Sequence, residues 1–156
     1  MPAADSPPAA PALVCRLKAE PPLAAGGPVA VRLTLENPGT APLYFLRWNT
    51  PFEGWEGTVF EVISPEGAAL RYRGPLVKRG DPEREEYVEL PAGGAVSAAA
   101  DLAEVYDLVA PGRYRVRVPG ALVDATADAA SLPRPRDAHR SVPLACGELT
   151  VDVAPR

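Results

Sequence analysis

Proline and glycine interrupt this chain too often for it to build long helices. Twenty prolines and thirteen glycines stand among its 156 residues, and proline removes the backbone donor that a helix interior needs. What survives between the interruptions is short and alternating. In 29–36, VAVRLTLE, the residues Val29, Val31, Leu33 and Leu35 share one face, and Ala30, Arg32, Thr34 and Glu36 share the other. That is the pattern of a half-buried strand. In 113–118, RYRVRV, it recurs with Tyr114, Val116 and Val118 inward and Arg113, Arg115 and Arg117 on a solvated face. Strand-like runs also occupy 12–20, 42–48, 59–63, 69–74, 87–90, 95–102 and 148–153. Turns such as NPGT (37–40), SPEG (64–67) and PAGG (91–94) separate them. Helix is expected only in short pieces, at 102–107 and 123–131. Eight or nine short strands spaced by about ten residues predict an all-β fold, an immunoglobulin-like antiparallel β-sandwich. Gly112 and Tyr114 add a detail, because such sandwiches often place a tyrosine there with its hydroxyl bonded back to the preceding corner.

The remaining composition narrows the function. Hydrophobic residues make up 47% of the chain, enough to bury a core, and the net charge is −4. A phosphate-binding surface needs a basic face, so nucleic acid is excluded as a partner class. No run of eighteen apolar residues is present, so no membrane span is expected. Residues 1–11 read as a disordered leader without a visible secretory signal, and 12–156 as a single domain. Cys15 and Cys146 stand near opposite ends. Either they form one bridge or they are two small buried hydrophobes, with Cys15 facing the core beside Leu13 and Leu17. His139 is the one histidine. That is too few ligands for a structural zinc site or a Ser-His-Asp set, so no metal, no cofactor and no catalytic residue is expected. Two segments break the strand rhythm: 74–86, GPLVKRGDPEREE, polar and charged, and a long loop at 120–146. Loops of that length are usually functional or disordered.

Both tryptophans fall in one turn-rich stretch, WNTPFEGW at 48–55. Trp48 continues the strand 42–48 and is assigned to the core. Trp55 follows Gly54 and is the candidate for exposure. Asn49 and Thr50 are expected to bond the local backbone, and Pro51 to set the turn. In 78–86, Lys78, Arg79 and Arg84 balance Asp81, Glu83, Glu85 and Glu86, as in a solvated loop.

Read in order, NPGTAPLYFLRWNTPFEG, FEVISPEG, YRGPLVKRGDPEREEYVELPAGG and SAAADLAEVYDLVAPGRYRVRV resemble the N-terminal, propeptide-type domain of the deuterolysin-like zinc metalloproteases, the M35 or aspzincin group. The matching positions are Asn37, Gly39, Pro42, Leu43, Leu46 and the run Trp48 to Gly54, then Tyr72, Gly74, Lys78 and Arg79, then Tyr106, Asp107, Leu108, Gly112 and Tyr114. They span about residues 29–118. The H-E-x-x-H zinc motif of the family's enzymatic half is missing from this chain. The resemblance therefore implies a non-catalytic, propeptide-like domain that inhibits or partners a deuterolysin-type zinc metalloprotease in a secreted or periplasmic setting. It implies partner contacts through Phe52, Glu53 and Trp55 and through Lys78, Arg79 and Asp81, with Lys78 imitating a substrate side chain and Glu53 or Asp81 approaching the zinc. The other reading that the residues allow is a structural or adhesion module without a protease target.

Overall fold

Strand β2 (Ala30–Glu36) organises the fold because its alternation gives it one fully apolar face. It pairs antiparallel with β1 (Val14–Glu20) on one side and β6 (Ala95–Asp101) on the other. The computed structural model describes residues 13–156, and the leader expected at 1–11 lies outside them. Outward from this sheet, Arg32 meets Glu20 at 2.7 Å and Arg16 meets Glu36 at 3.2 Å. Inward, the same face serves two apolar clusters. Val29 and Val31 pack with residues of β4 (Glu61–Ile63), β7 (Gly112–Arg117) and β11 (Leu149–Val153), which form a second antiparallel sheet. Leu33 and Leu35 pack with residues of β3 (Leu43–Leu46), β5 (Tyr87–Leu90) and β9 (Ala125–Thr126), which form a third. One sheet thus faces two, in an all-β sandwich. Each buried Val or Leu contributes about 1.5–3 kcal/mol by leaving water.

The arginines of β7 face outward as expected, each with an acidic neighbour: Arg113 with Asp152 at 3.0 Å, Arg115 with Glu148 at 3.8 Å, and Arg117 with Glu61. Tyr114 is buried, and its hydroxyl donates to the Ala110 carbonyl at 2.7 Å, the corner contact its position predicts. Cys15 and Cys146 form a disulfide across a sequence separation of 131, so the bridged alternative is the one realised. It ties β1 to the segment entering β11.

Several expectations are corrected. The run 69–74 is not a strand. It makes only a bridge between Ile63 and Ala69, because Leu70 and Tyr72 turn aside to pack on the core. The helix expected at 102–107 is a single 3₁₀ turn, Leu102–Glu104. Asp101 caps it and also accepts from Val29 N–H at 2.8 Å, which commits the backbone to a turn. The piece expected at 123–131 divides into β9 and a 3₁₀ turn, Ala129–Ser131. The segment 120–146 is not an unstructured loop. It contains β9 and the paired strands β8 (Ala121–Leu122) and β10 (Val142–Pro143), bringing the count to eleven strands among the described residues. Leu122, Ala125 and Val142 explain this, since all three are buried in the second cluster. Among the described residues, no helix is long and apolar enough to cross a membrane.

Candidate functional site

Three segments meet at one end of the sandwich: 48–56, 74–86 and 124–140. The first is shaped by its own polar side chains. Thr50 Oγ1 donates to the Arg47 carbonyl at 2.5 Å and accepts from Phe52 N–H at 3.2 Å, capping a 3₁₀ turn that Pro51 begins. That turn carries Glu53 inward. Its carboxylate accepts from Asn49 N–H at 2.6 Å and from Arg79 Nη2 at 2.7 Å to each oxygen. The Glu53 side chain is only 3% exposed and that of Arg79 19%, so this ion pair is shielded from water. The Arg79 guanidinium also lies 4.9 Å from the centre of the Trp48 ring, a cation–π contact.

Trp48 is buried, at 5% exposure, but strand β3 ends at Leu46 and the ring lies beneath the loops. Its Nε1 donates to Glu86 Oε2 at 2.6 Å, and the ring of His139 meets it edge-on at 6.0 Å. Burial alone pushes the Glu86 carboxyl up. The Trp48 and Glu83 hydrogen bonds, with the charges of Arg47 and Arg79, outweigh it and leave the pKa below the usual range.

The third segment is fastened by Asp124. Its carboxylate is fully buried and accepts from the Arg134 guanidinium, from the Tyr87 hydroxyl at 2.7 Å and from Arg140 N–H at 2.9 Å. Burial again acts upward, but those hydrogen bonds and the Arg134 charge hold the acid below its ordinary value. The Tyr87 hydroxyl is raised, first by burial and then by the neighbouring carboxylate. Arg136 links this segment to the second one: its Nη1 donates to the Arg79 carbonyl and its N–H to Asp81 Oδ1, both at 2.9 Å.

The six residues expected to meet a partner therefore have different placements. Phe52 packs against Phe45, ring centres 5.2 Å apart. Trp55 is half-buried, its Nε1 donating to the Asp101 carbonyl at 3.2 Å and its ring set among Phe60, Tyr72 and Tyr106. The candidate for exposure is thus the tryptophan that packs against the core between the sheets. Glu53 and Arg79 are occupied with each other, and Asp81, though exposed, holds Arg136. The reading of 78–86 as a solvated loop is corrected at Arg79 and Glu86, whose partners are Glu53 and Trp48. Lys78 alone of the six is exposed without a hydrogen bond or ion pair among the described residues. Beside it stand two residues that sequence reasoning missed, Leu76 at 73% exposure and Val77 at 42%. Their signal was an apolar pair inside an otherwise charged loop. Among the described residues, no group of three or more His, Cys, Asp or Glu side chains is placed to hold a metal ion.

The tip 75–78 is tied on both sides. The Tyr72 hydroxyl donates to the Pro75 carbonyl at 2.7 Å, and Val77 N–H donates to the Glu56 carbonyl at 3.1 Å. Arg79 follows as the far anchor. The arrangement offers a short exposed apolar and cationic stretch whose conformation is set before any contact.

No protein-family model matches the chain. Over 89 residues it is 35% identical to the extracellular protease of Aeromonas hydrophila, a match covering 57% of this chain and 25% of that protein. Over 100 residues it is 27% identical to the probable neutral protease 2 homolog B of Trichophyton rubrum, covering 63% of this chain and 27% of that protein. The chain spans about a quarter of the length of the curated relatives it matches. Over that part it is protease-related.

Proposed function

We propose that this chain is a non-catalytic binding domain, a propeptide-like inhibitor or partner of a deuterolysin-type zinc metalloprotease. The observation that carries this reading is the tip Leu76–Val77–Lys78, exposed on a loop fastened at both sides. The apolar pair stands open to contact beside Lys78, and a pre-set loop spends little entropy on docking. The partial likeness to two proteases supplies the partner class. The disulfide is consistent with an oxidising compartment, where such proteases would be met. The Nε2 of His139 lies 2.9 Å from the Arg134 carbonyl, which supports a packing role for the one histidine.

The test is a set of progress curves. A deuterolysin-type protease cleaves a peptide with and without this protein. Saturable inhibition that weakens at least about tenfold with Leu76→Asp is the expected result, since that substitution buries a charge at the contact. An unchanged rate at micromolar excess of folded protein removes the protease as partner. The inward placement of Phe52, Glu53, Trp55 and Arg79 favours a second reading, a scaffold module, which that outcome would leave standing.

A further inference from the structure

We propose that the open edge of β6 pairs with the same edge of a second copy of this chain, antiparallel and two-fold about Ser97. This edge is distinct from the tip 75–78, and nothing in the pairing depends on a protease partner.

Strand β6 ends its sheet, with β2 on one side only. The register decides which backbone groups that leaves open. Asn37 N–H donates to the Gly94 carbonyl and Leu102 N–H to the Val29 carbonyl. Both pairs continue the register that sets Val31 opposite Ala100, Leu33 opposite Ala98 and Leu35 opposite Val96. Hydrogen-bonded pairs recur at every second residue of an antiparallel ladder. Val96, Ala98 and Ala100 therefore bond to β2, and the N–H and carbonyl groups of Ala95, Ser97 and Ala99 point away from it. Among the described residues these three make no backbone hydrogen bond to any other segment. Asp101 agrees with this phase: next in the same row, its carbonyl accepts from Trp55 Nε1 at 3.2 Å. That contact closes one end of the row, and the turn at 91–94, where Gly94 N–H returns to the Pro91 carbonyl, closes the other.

An unpaired row of this kind is a template for another strand, and folded chains commonly guard it with charge or proline. The other edge of the same sheet, β1, carries Arg16, Lys18 and Glu20. The β6 run from Ala95 to Ala100, AVSAAA, has neither guard. Toward the core, Val96, Ala98 and Ala100 stay half-buried although the β2 residues opposite them are fully buried. The turn Pro51–Glu53 lies near β6, but Phe52 packs into the second cluster and the turn makes no backbone hydrogen bond to the strand.

The row is its own complement. A two-fold axis at Ser97 sets Ala95 opposite Ala99 of the second copy, Ser97 opposite Ser97, and Ala99 opposite Ala95, each pair exchanging two hydrogen bonds. Every free donor then meets a free acceptor. On the inner face Val96 of each copy falls opposite Ala98 of the other, large against small. No like charges are brought together. Asp101 would face Gly93, and its carboxylate already accepts from Val29 and Ala103 N–H. Arg32, bonded to Ser97 Oγ, also holds Glu20. A foreign strand could use the same hydrogen bonds, but the row has no charge or large side chain with which to select one. Edge-to-edge contact is small, so the dimer is weak and concentration-dependent.

Sedimentation of the full chain, with residue-resolved amide exchange, tests this. A reversible monomer–dimer equilibrium is expected between about 10 μM and 1 mM. As the dimer fills, the amides of Ala95, Ser97 and Ala99 should gain about fivefold in protection, while those of Val96, Ala98 and Ala100, already in the ladder, hold theirs. Ser97→Pro removes a donor from the open row alone, suits an edge position, and should keep the chain monomeric. Ser97→Lys and Ser97→Asp cover the case in which the proline variant fails to fold. Each alone sets like charges opposite one another and should weaken the dimer about threefold to fivefold, whereas an equal mixture of the two should dimerise at least as well as the parent. A monomer at about 1 mM would overturn the proposal. So would a dimer without protection at Ala95, Ser97 and Ala99, or one that Ser97→Pro leaves as strong as the parent's. Charge variants that stay apart when mixed would overturn the two-fold register.

Discussion

Arg134→Met isolates what the buried carboxylate of Asp124 requires. Methionine keeps most of the apolar length of arginine and removes the charge. Asp124 would retain the Tyr87 hydroxyl and Arg140 N–H but lose its only bonded cation among the described residues. Taking one partner from a buried pair costs about 3–5 kcal/mol, because the remaining charge is uncompensated. For a chain of this size each kcal/mol lowers the melting temperature by about 2–4 °C, so the variant should melt about 6–20 °C below the parent. The pH dependence tests the cause. In the parent the Asp124 pKa is depressed, so its contribution is complete above the unfolded value of about 3.9 and is lost as pH falls through the lower folded value. In the variant the acid loses the Arg134 hydrogen bonds and charge and keeps those of Tyr87 and Arg140, while burial still acts upward. Protonation then relieves an orphaned charge, and the gap between parent and variant narrows as pH falls toward about 3. Thermal melts followed by circular dichroism from pH 7 to 3 measure both quantities. A gap below about 1 kcal/mol at pH 7, or one that stays constant with pH, would refute the reasoning.

Other expectations follow from single contacts. Replacing Cys15 and Cys146 together by serine releases a closure across 131 residues. The chain-entropy relation gives a loss of roughly 5 kcal/mol, read as a reductant-sensitive melting temperature in the parent and an insensitive one in the variant. Tyr114→Phe removes the hydroxyl bonded to the Ala110 carbonyl and should cost about 1 kcal/mol in urea unfolding with the slope unchanged. Gly74→Ala places a Cβ within 2.4 Å of the Tyr72 hydroxyl and 2.7 Å of a Val105 methyl. Its overpacking cost is about 1–3 kcal/mol, and because Tyr72 holds Pro75 the partner affinity should fall with it, measured by calorimetry.

The strands legible in the sequence were those in which burial follows alternation. β2 and β7 each carry apolar residues at every second position, with Arg32 and Thr34 between them in β2 and arginines in β7, so period and face could be read directly. The short strands β8, β9 and β10 could not be read that way. Two residues give no period, and they are strands only because Leu122, Ala125 and Val142 find places beside Leu33, Leu35 and Phe45. The loop end was illegible for a different reason. Glu53 and Arg79 are separated by 26 positions, Tyr87 and Asp124 by 37, and Trp48 and Glu86 by 38. Nothing local marks such pairs, and a charged loop whose charges are internally engaged has the same composition as a solvated one. The tryptophans show this most directly. Trp48 stays under charged loops because its Nε1 has a carboxylate to bond, and Trp55 turns toward the core because the chain reverses at Gly54, whose φ is +82°.

Most residues on which the deuterolysin-type resemblance rests are fasteners of the sandwich. Asn37 bonds the Ala41 and Leu90 carbonyls and Gly39 N–H, closing the turn between β2 and β3. Thr50 caps, Glu53 holds Arg79, and Tyr106 is buried with its hydroxyl donating to the Phe60 carbonyl; burial first, then the neighbouring Tyr72 and Glu61, push its pKa up to about 12. Gly112 takes φ +139°, where a Cβ would come within 2.7 Å of Pro65. A likeness built on such positions speaks first to shape, and a scaffold would need all of them. Lys78 is the exception. It belongs to the same set, yet it makes no hydrogen bond or ion pair among the described residues, and the neighbours that lock the loop hold it outward. A residue without internal work, on a tip tied down by a shielded ion pair, is what the proposed docking contact requires. Replacing Lys78 should therefore leave the melting temperature unchanged within about 1 °C, as expected of a surface substitution, and change only binding. A clear loss of stability would return Lys78 to the fold and weaken the case for a docking tip.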